Sequence, residues 1–209
     1  YLCGSVSFAY LLGRVFWKVD LRQYGSRKLS ASNLYHQAGA IGLVLAGIGD
    51  LGKAALPVWL ARRWGFDLAV IVAVGLAAML GHNWPIFLGL KGGRGIGAAL
   101  GALSVIYPLG ALWILGWTIA GRVVPHAAAV PALLGLTTLP LLSAIQGQPD
   151  AITLGCVGIL GIAVAKRLEA NCEPPPAGEK PWHVFWRRLL LDRDIADFET
   201  WAARKPDEA

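Results

Sequence analysis

Phe66 to Gly97 reads F-D-L-A-V-I-V-A-V-G-L-A-A-M-L-G-H-N-W-P-I-F-L-G-L-K-G-G-R-G-I-G, and its two halves decide the class of fold. From Leu68 to Leu80 nothing ionisable interrupts the apolar run. With its flanks the segment reaches the roughly 20 residues that cross a hydrocarbon layer of about 30 Å. The run then ends in His82 and Pro85 and gives way to a loop of glycines carrying Lys91 and Arg94, after which apolar sequence resumes. A membrane span that opens into a basic, glycine-rich surface loop is the unit from which the rest of the chain is read.

The composition agrees with that unit. Of 209 residues, 56% are hydrophobic and only 15% charged, against about 25% charged in an ordinary soluble chain, and the mean hydropathy is +0.53. The 26 glycines suit helices packed closely in lipid. Collagen-like, disordered, coiled-coil and disulfide-scaffold classes are excluded. The net charge of +6 points to anionic lipid headgroups or anionic substrates. No basic stripe interleaved with aromatics argues for nucleic acid. Cys3, Cys156 and Cys172 stand far apart with no C-x-x-C spacing, so they are read as structural thiols and no metal site is expected.

Seven apolar segments are candidates for spans, at about residues 1–17, 38–60, 66–90, 95–107, 109–124, 127–145 and 151–165. The fourth and fifth are short and meet at Tyr107-Pro108, so a single kinked segment, and six spans, is the competing count. The first stretch is interrupted by Arg14 and lacks a small-residue cleavage signal, so it reads as a spanning helix rather than a secretory leader. With seven spans, one set of connections gathers Arg14, Lys18, Arg22, Arg27, Lys28, Lys91, Arg94, Arg122, Lys166 and Arg167, while the other holds Arg62 and Arg63. By the positive-inside rule the N-terminus is then outside and the C-terminus cytoplasmic. The fold class expected is all-α, an integral membrane bundle of about seven transmembrane helices.

Residues 1–173 are read as the membrane-embedded domain and 174–209 as a cytoplasmic tail. The tail opens with a proline-rich linker; Trp182, Phe185, Trp186, Leu189 and Leu190 then recur at helical spacing among Arg187, Arg188 and Arg193. This pattern predicts an amphipathic helix over 182–203, lying on the cytoplasmic leaflet or docked on the bundle or on a membrane-protein partner.

Polar residues kept beside apolar spans are costly and are the first functional suspects. Asp20 and Arg22 with Gly25 to Asn33 offer the Ser26 and Ser32 hydroxyls, an amide and three cations, a set able to hold a small anion, or simply a basic loop. Asp50 and Lys53 share a helical face and read as a structural ion pair or as part of a cavity. In the glycine loop, Gly92, Gly93 and Gly95 let backbone approach a phosphate, with Lys91 and Arg94 completing the charge match. His82 beside it is a further candidate, or a hydrogen-bonded structural residue.

Taken in this order, these groups resemble the bacterial PlsY-type acyl-phosphate:glycerol-3-phosphate acyltransferases over about residues 4–173. The family's G-S-x-x-x-x-Y-L-L-G is similar to Gly4, Ser5, Tyr10, Leu11, Leu12 and Gly13, and its D-x-R-x-x-G-S to Asp20, Arg22, Gly25 and Ser26. Its D-x-x-K resembles Asp50 and Lys53. Its G-H-x-F-P and F-K-G-G-K-G-V-A resemble Gly81, His82, Trp84 and Pro85, then Lys91 through Ala98. The resemblance implies a multi-pass enzyme of the bacterial inner membrane. It would move a fatty acyl group from acyl phosphate to the sn-1 hydroxyl of glycerol 3-phosphate, without a cofactor, in contact with membrane lipids. It implies catalytic roles for Ser26, Lys91 and Arg94. Substrate contacts are implied for Arg22, Gly25, Ser32, Asn33, His36, Lys53, His82, Gly92, Gly93, Gly95, Arg167 and Glu173.

The chain departs from that pattern on the acceptor side. Arg27, Lys28 and Ser30 replace two glycines and an asparagine of the first loop, and His36 stands where the family has an arginine. In the last motif Arg167, Leu168 and Glu173 remain, but Gly161 and Val164 replace a histidine and an asparagine. Two alternatives therefore stay open: an acyltransferase with another acceptor, and a non-catalytic membrane subunit or scaffold. A transporter is a weaker reading, because Asp50 and Lys53 are few ionisable groups for a coupled path.

Overall fold

The computed structural model describes residues 1–123, 129–176 and 178–202, and among them the secondary structure is entirely helical. The first apolar stretch forms two helices, α1 (Leu2–Ser5) and α2 (Phe8–Phe16), where the sequence predicts one span. The chain is extended between them, and Ser7 caps α2 by accepting from the Tyr10 amide. The break frees the Val6 carbonyl, which accepts from Lys53 Nζ at 2.7 Å. A buried lysine therefore fixes a helix interruption that hydropathy alone does not reveal.

Helix α3 (Ala31–Arg63) starts seven residues before the predicted boundary, with Ser30 as its cap, and is interrupted at Gly39, where φ is 66°. It is followed by α4 (Leu68–Asn83) and a short 3-10 turn at Ile86–Leu88. The next helices are α5 (Ile96–Ile106) and α6 (Pro108–Val123). These two are separate, as Pro108 opens the second and Tyr107 Oη donates to Gln146 Oε1 at 2.5 Å. Helices α7 (Ala129–Ile145) and α8 (Asp150–Glu169) complete the bundle, and a 3-10 turn at Ala170–Cys172 leads out of it. The tail holds α9 (Pro181–Leu191) and α10 (Phe198–Ala202). Residues 124, 127, 128 and 203, at the edges of the predicted segments, lie outside the described residues.

Among the described residues, three stretches are long and apolar enough to cross a membrane, Ala31–Arg63, Leu68–Leu88 and Asp150–Cys172, and four shorter apolar ones accompany them. Ile41, Ile48, Leu112, Ile119 and Leu154 project outward, each more than half exposed. Such a surface is a liability in water and ordinary against lipid. Inside, Val72, Met79, Leu103, Ile114, Leu136 and Ile159 share one core.

Small residues bring the helices together. A Cβ on Gly101 would run into the Leu51 carbonyl of α3, and one on Gly4 into the backbone of Ala78. Backbone contact of this kind replaces the hydrophobic drive that lipid removes. Gly101→Ala is expected to destabilise the bundle by about 1–3 kcal/mol through overpacking. Gly116→Ala, whose Cβ meets nothing within 4 Å, should be nearly neutral. Thermal unfolding of both variants in one detergent measures the difference.

Candidate functional site

The loop between α2 and α3 is built on Asn33, in the first turn of α3. Its Nδ2 donates to the carbonyls of Leu21, Tyr24 and Lys28 at 3.0–3.2 Å, and its Oδ1 accepts from the Ser26 amide at 3.3 Å. The loop can therefore turn through Gly25 and Arg27, both at positive φ, without orphaning its carbonyls. Arg22 donates from Nε and Nη2 to both oxygens of Asp20 at 2.6–3.2 Å. These bonds hold the Asp20 carboxyl below its usual value of 3.8, against a smaller opposing effect of burial.

The glycine loop folds back over the end of α4. The Gly93 amide donates to the His82 carbonyl at 3.2 Å, and the Leu29 amide to the Gly92 carbonyl at 3.4 Å, so the two loops are joined. A Cβ at Gly93 would strike His82 Nε2, and one at Gly95, where φ is 81°, would lie 2.6 Å from Asn83 Oδ1. Most of these glycines thus serve the tight fold of the loop, and Gly92 alone of the three also borders the cavity described next. Beneath the loop, Asp50 lies 2.9 Å from Lys53 and 3.5 Å from His82 Nδ1, all three buried.

Together the loops open one side of a cavity of about 410 Å³. Arg22, Ser26, Arg27 and Lys28 line it from the first loop, and Lys91, Gly92 and Arg94 from the second. Lys166, Glu169 and Glu173 border it where α8 ends. The tail closes it with Arg188, Asp192, Arg193, Asp194 and Trp201. Eight of these residues are Lys or Arg and four are Asp or Glu, so the wall carries a net positive charge.

Much of that charge is engaged. Lys166 Nζ donates to Glu169 at 2.8–3.0 Å and lies 4.9 Å from the Trp84 ring centre, and Trp84 Nε1 donates to the same carboxylate at 2.6 Å. Arg94 donates to Asp192 from Nε, at 2.9 Å, and from Nη2, and its Nη1 donates to the Lys166 carbonyl at 2.7 Å. Lys28 reaches Glu173 at 3.9 Å, and burial together with the nearby Arg94 cation pulls its pKa down. Lys91 is exposed and has no ion-pair partner among the described residues.

Of the residues singled out from sequence, the cavity gathers Ser26, Lys91, Arg94, Arg22, Gly92 and Glu173. Gly25, Asn33, Gly93, Gly95 and His82 stand behind the wall and shape it. Lys53 is spent on Asp50 and Val6. Ser32 is exposed and does not line the cavity. His36 lies beside Tyr35 and Phe198, with ring centres 5.6 and 6.4 Å away. Arg167 is buried and donates to the carbonyls of Leu189, Leu190 and Ala129, so it clamps the tail. Sequence reasoning did not single out Asp192, Asp194 and Trp201, and it placed Arg188 and Arg193 on a helix lying on the leaflet or docked on the bundle or a partner. The only signal was the alternation of charges from Arg187 to Asp194, which by itself reads as a solvated surface.

The sequence model of the family described as "Glycerol-3-phosphate acyltransferase" matches residues 1–173. The chain is 36% identical to glycerol-3-phosphate acyltransferase 5 of Dehalococcoides mccartyi, over 98% of this chain and 90% of that one. It is 35% identical to the glycerol-3-phosphate acyltransferase of Pseudomonas putida, over 86% and 94%. Among solved structures it is similar to PlsY (YgiH), described as an integral membrane glycerol 3-phosphate acyltransferase. The glycerol 3-phosphate form of that protein superimposes with a TM-score of 0.75 and 27% identity, covering 81% of this chain and 85% of the other. The lysophosphatidic acid form gives 0.72 and 25%.

Two outcomes follow from the geometry of the first loop. Asn33→Asp removes the donating amide while keeping its size, and is expected to cost about 2 kcal/mol or more in thermal stability, because buried carbonyls lose their donor. Asp20 has a lowered pKa, so its stabilising effect is complete above 3.8 and is lost as pH falls through the lowered value. The unfolding temperature of Asp20→Asn should therefore decline less on acidification below pH 3.8 than that of the unaltered chain.

Proposed function

The chain belongs to the glycerol-3-phosphate acyltransferase family, and we propose from that premise that it transfers a fatty acyl group from acyl phosphate to the sn-1 hydroxyl of glycerol 3-phosphate. The products are lysophosphatidic acid and inorganic phosphate. The observation that carries the reading is the basic cavity, because three segments matched by the family meet in its wall. Two phosphate-bearing substrates brought side by side repel each other, and a wall of fixed cations offsets that repulsion. The hydroxyl oxygen attacks the carbonyl carbon, the bond from that carbon to the phosphate oxygen breaks, and the departing phosphate takes the hydroxyl proton. The protein's part is to orient the substrates and to stabilise the leaving dianion.

Lys91 and Arg27 are the exposed cations of the cavity without an ion-pair partner among the described residues, and Lys91, carried by the glycine loop, is the one we assign to that work. Ser26 contributes a hydroxyl at the same wall, 3.4 Å from the Lys28 amide. Arg27 and Lys28 supply positive charge that compensates for the acceptor-side residues replaced at His36, Gly161 and Val164. Arg94 adds its charge to the same wall while bonded to Asp192 and to the Lys166 carbonyl.

The protein is an integral membrane protein of a bacterial type. We place the cavity at the cytoplasmic face of the inner membrane, with the N-terminus outside and the C-terminus inside, because the basic connections coincide with the cavity wall. Residues 1–173 form the acyl-transfer unit and 174–209 a cytoplasmic tail, whose exposed Trp182, Trp186 and Leu190 suit the lipid interface. A second reading, a different phosphorylated polyol as acceptor, is motivated by Gly161 and Val164, which replace the histidine and asparagine of the last motif.

Purified protein in lipid, given palmitoyl phosphate and glycerol 3-phosphate, is expected to release phosphate and form lysophosphatidic acid. Lys91→Ala should lower turnover about a hundredfold, the usual effect of deleting one charge-stabilising donor. Absence of product from the unaltered chain with every acceptor offered would end the proposal. Faster turnover with another phosphorylated polyol would select the second reading.

A further inference from the structure

The tail beyond residue 173 is fastened through the last turns of α9. Arg188 donates to the carbonyls of Glu173 and Pro174 at 2.7 and 3.0 Å, and Arg167 of α8 donates to the Leu189 carbonyl at 2.8 Å. Helix α9 then ends at Asp192, which adopts a left-handed backbone with φ at 56°. That conformation is unfavourable for a residue with a side chain, and here it is held by the paired bonds from Arg94.

The turn delivers Arg193 to the wall of the basic cavity. Its guanidinium lies 5.7 Å from the centre of the Phe198 ring, which in turn meets His36 edge-on, so the side chain is braced by α10 against α3. Asp197 and Arg187 are the charges nearest to it in effect, of opposite sign. Arg193 Nε and Nη1 are buried, yet neither has a hydrogen-bond acceptor among the described residues. The arginines around it differ: Arg22, Arg94, Arg187 and Arg188 all donate to named oxygens. Buried guanidinium donors without acceptors are unfavourable, and either of these N–H groups can give a charge-assisted hydrogen bond to a phosphate oxygen.

We propose that Arg193 is a tail-borne ligand for a substrate phosphate group, and that Asp192, locked on Arg94, is the residue that positions it. The inference rests on the acyl-transfer reading given above. Two sources share the required chemistry, the phosphomonoester of the acceptor and the acyl phosphate of the donor, and kinetics distinguish them. On this view the tail is part of the substrate site.

The test uses the full chain in lipid, as the unaltered protein and as Arg193→Ala, Arg193→Lys and Asp192→Asn. KM is measured for glycerol 3-phosphate and for palmitoyl phosphate separately, and inorganic phosphate binding is followed by calorimetry. Arg193→Ala should raise one KM by roughly tenfold or more, the loss expected for a charge-assisted hydrogen bond, with kcat little changed and partial rescue by Arg193→Lys. A rise confined to glycerol 3-phosphate assigns the acceptor's phosphate, and one confined to palmitoyl phosphate assigns the donor's. Asp192→Asn should shift the same KM upward. A lower KM in Asp192→Asn would show instead that Asp192 competes with substrate, and would overturn its positioning role. Unchanged KM values and unchanged phosphate affinity in folded Arg193→Ala would overturn the ligand role. If the unaltered chain binds phosphate but shows no turnover, the acyl-transfer reading fails separately. The phosphate affinity of Arg193→Ala then still decides whether Arg193 is a ligand.

Discussion

An ionic cluster enclosed by an apolar bundle ties this structure together. Asp50 on α3 lies against Lys53 one turn away and against His82 at the end of α4. Lys53 reaches across to the Val6 carbonyl, exposed by the break between α1 and α2. The His82 ring underlies Gly93, and a Cβ on Gly97 of α5 would sit 3.1 Å from that of Asp50. Enclosing such a cluster carries a large desolvation cost, so it is weak evidence for stability. Removing one partner is another matter, as it strands a buried charge at a cost of roughly 3–5 kcal/mol. The cluster therefore fixes one register of the helices, and the glycine loop has one seat on which to fold.

The cavity above that seat is governed by like-charge repulsion. Arg22, Arg27, Lys28, Lys91 and Arg94 meet at a single surface, and burial beside Arg94 already disfavours the charged form of Lys28. The fold contains the repulsion with carboxylates at the margin: Asp20 on Arg22, Glu169 on Lys166, Glu173 near Lys28 and Asp192 on Arg94. Arg27 and Lys91 are left without such a partner among the described residues. A phosphate-bearing substrate entering the cavity thus meets charge whose hydration has been partly removed, where each interaction is stronger than in water. On the proposed reading, binding and the preparation for acyl transfer follow from the same arrangement.

Sequence and structure agree where the physics is local. The glycine loop was legible because few chemistries other than close backbone approach need Gly92, Gly93 and Gly95 around two cations, although two of these glycines turn out to serve the fold of the loop more than the ligand. Asn33 was legible as a site residue, but its task as the donor that closes the first loop required the coordinates, since three carbonyls up to twelve residues distant converge on it. Arg167 shows the reverse. The family resemblance implied a substrate contact for it, and its donors go to the backbone of α9 and to Ala129.

The sequence by itself determined the solvent and the chemistry. Apolar runs long enough for lipid, basic connections gathered on one set of loops, and a glycine-and-cation motif follow from composition and spacing, because hydration energy and charge are properties of residues in order along the chain. Tertiary structure decided which cations are engaged in ion pairs and that the tail closes the cavity. Asp192 meets Arg94 across 98 residues, and Arg193 shares a wall with Ser26. Pairing at that separation depends on how helices pack and where a left-handed turn points a side chain, and neither quantity is written in a local pattern.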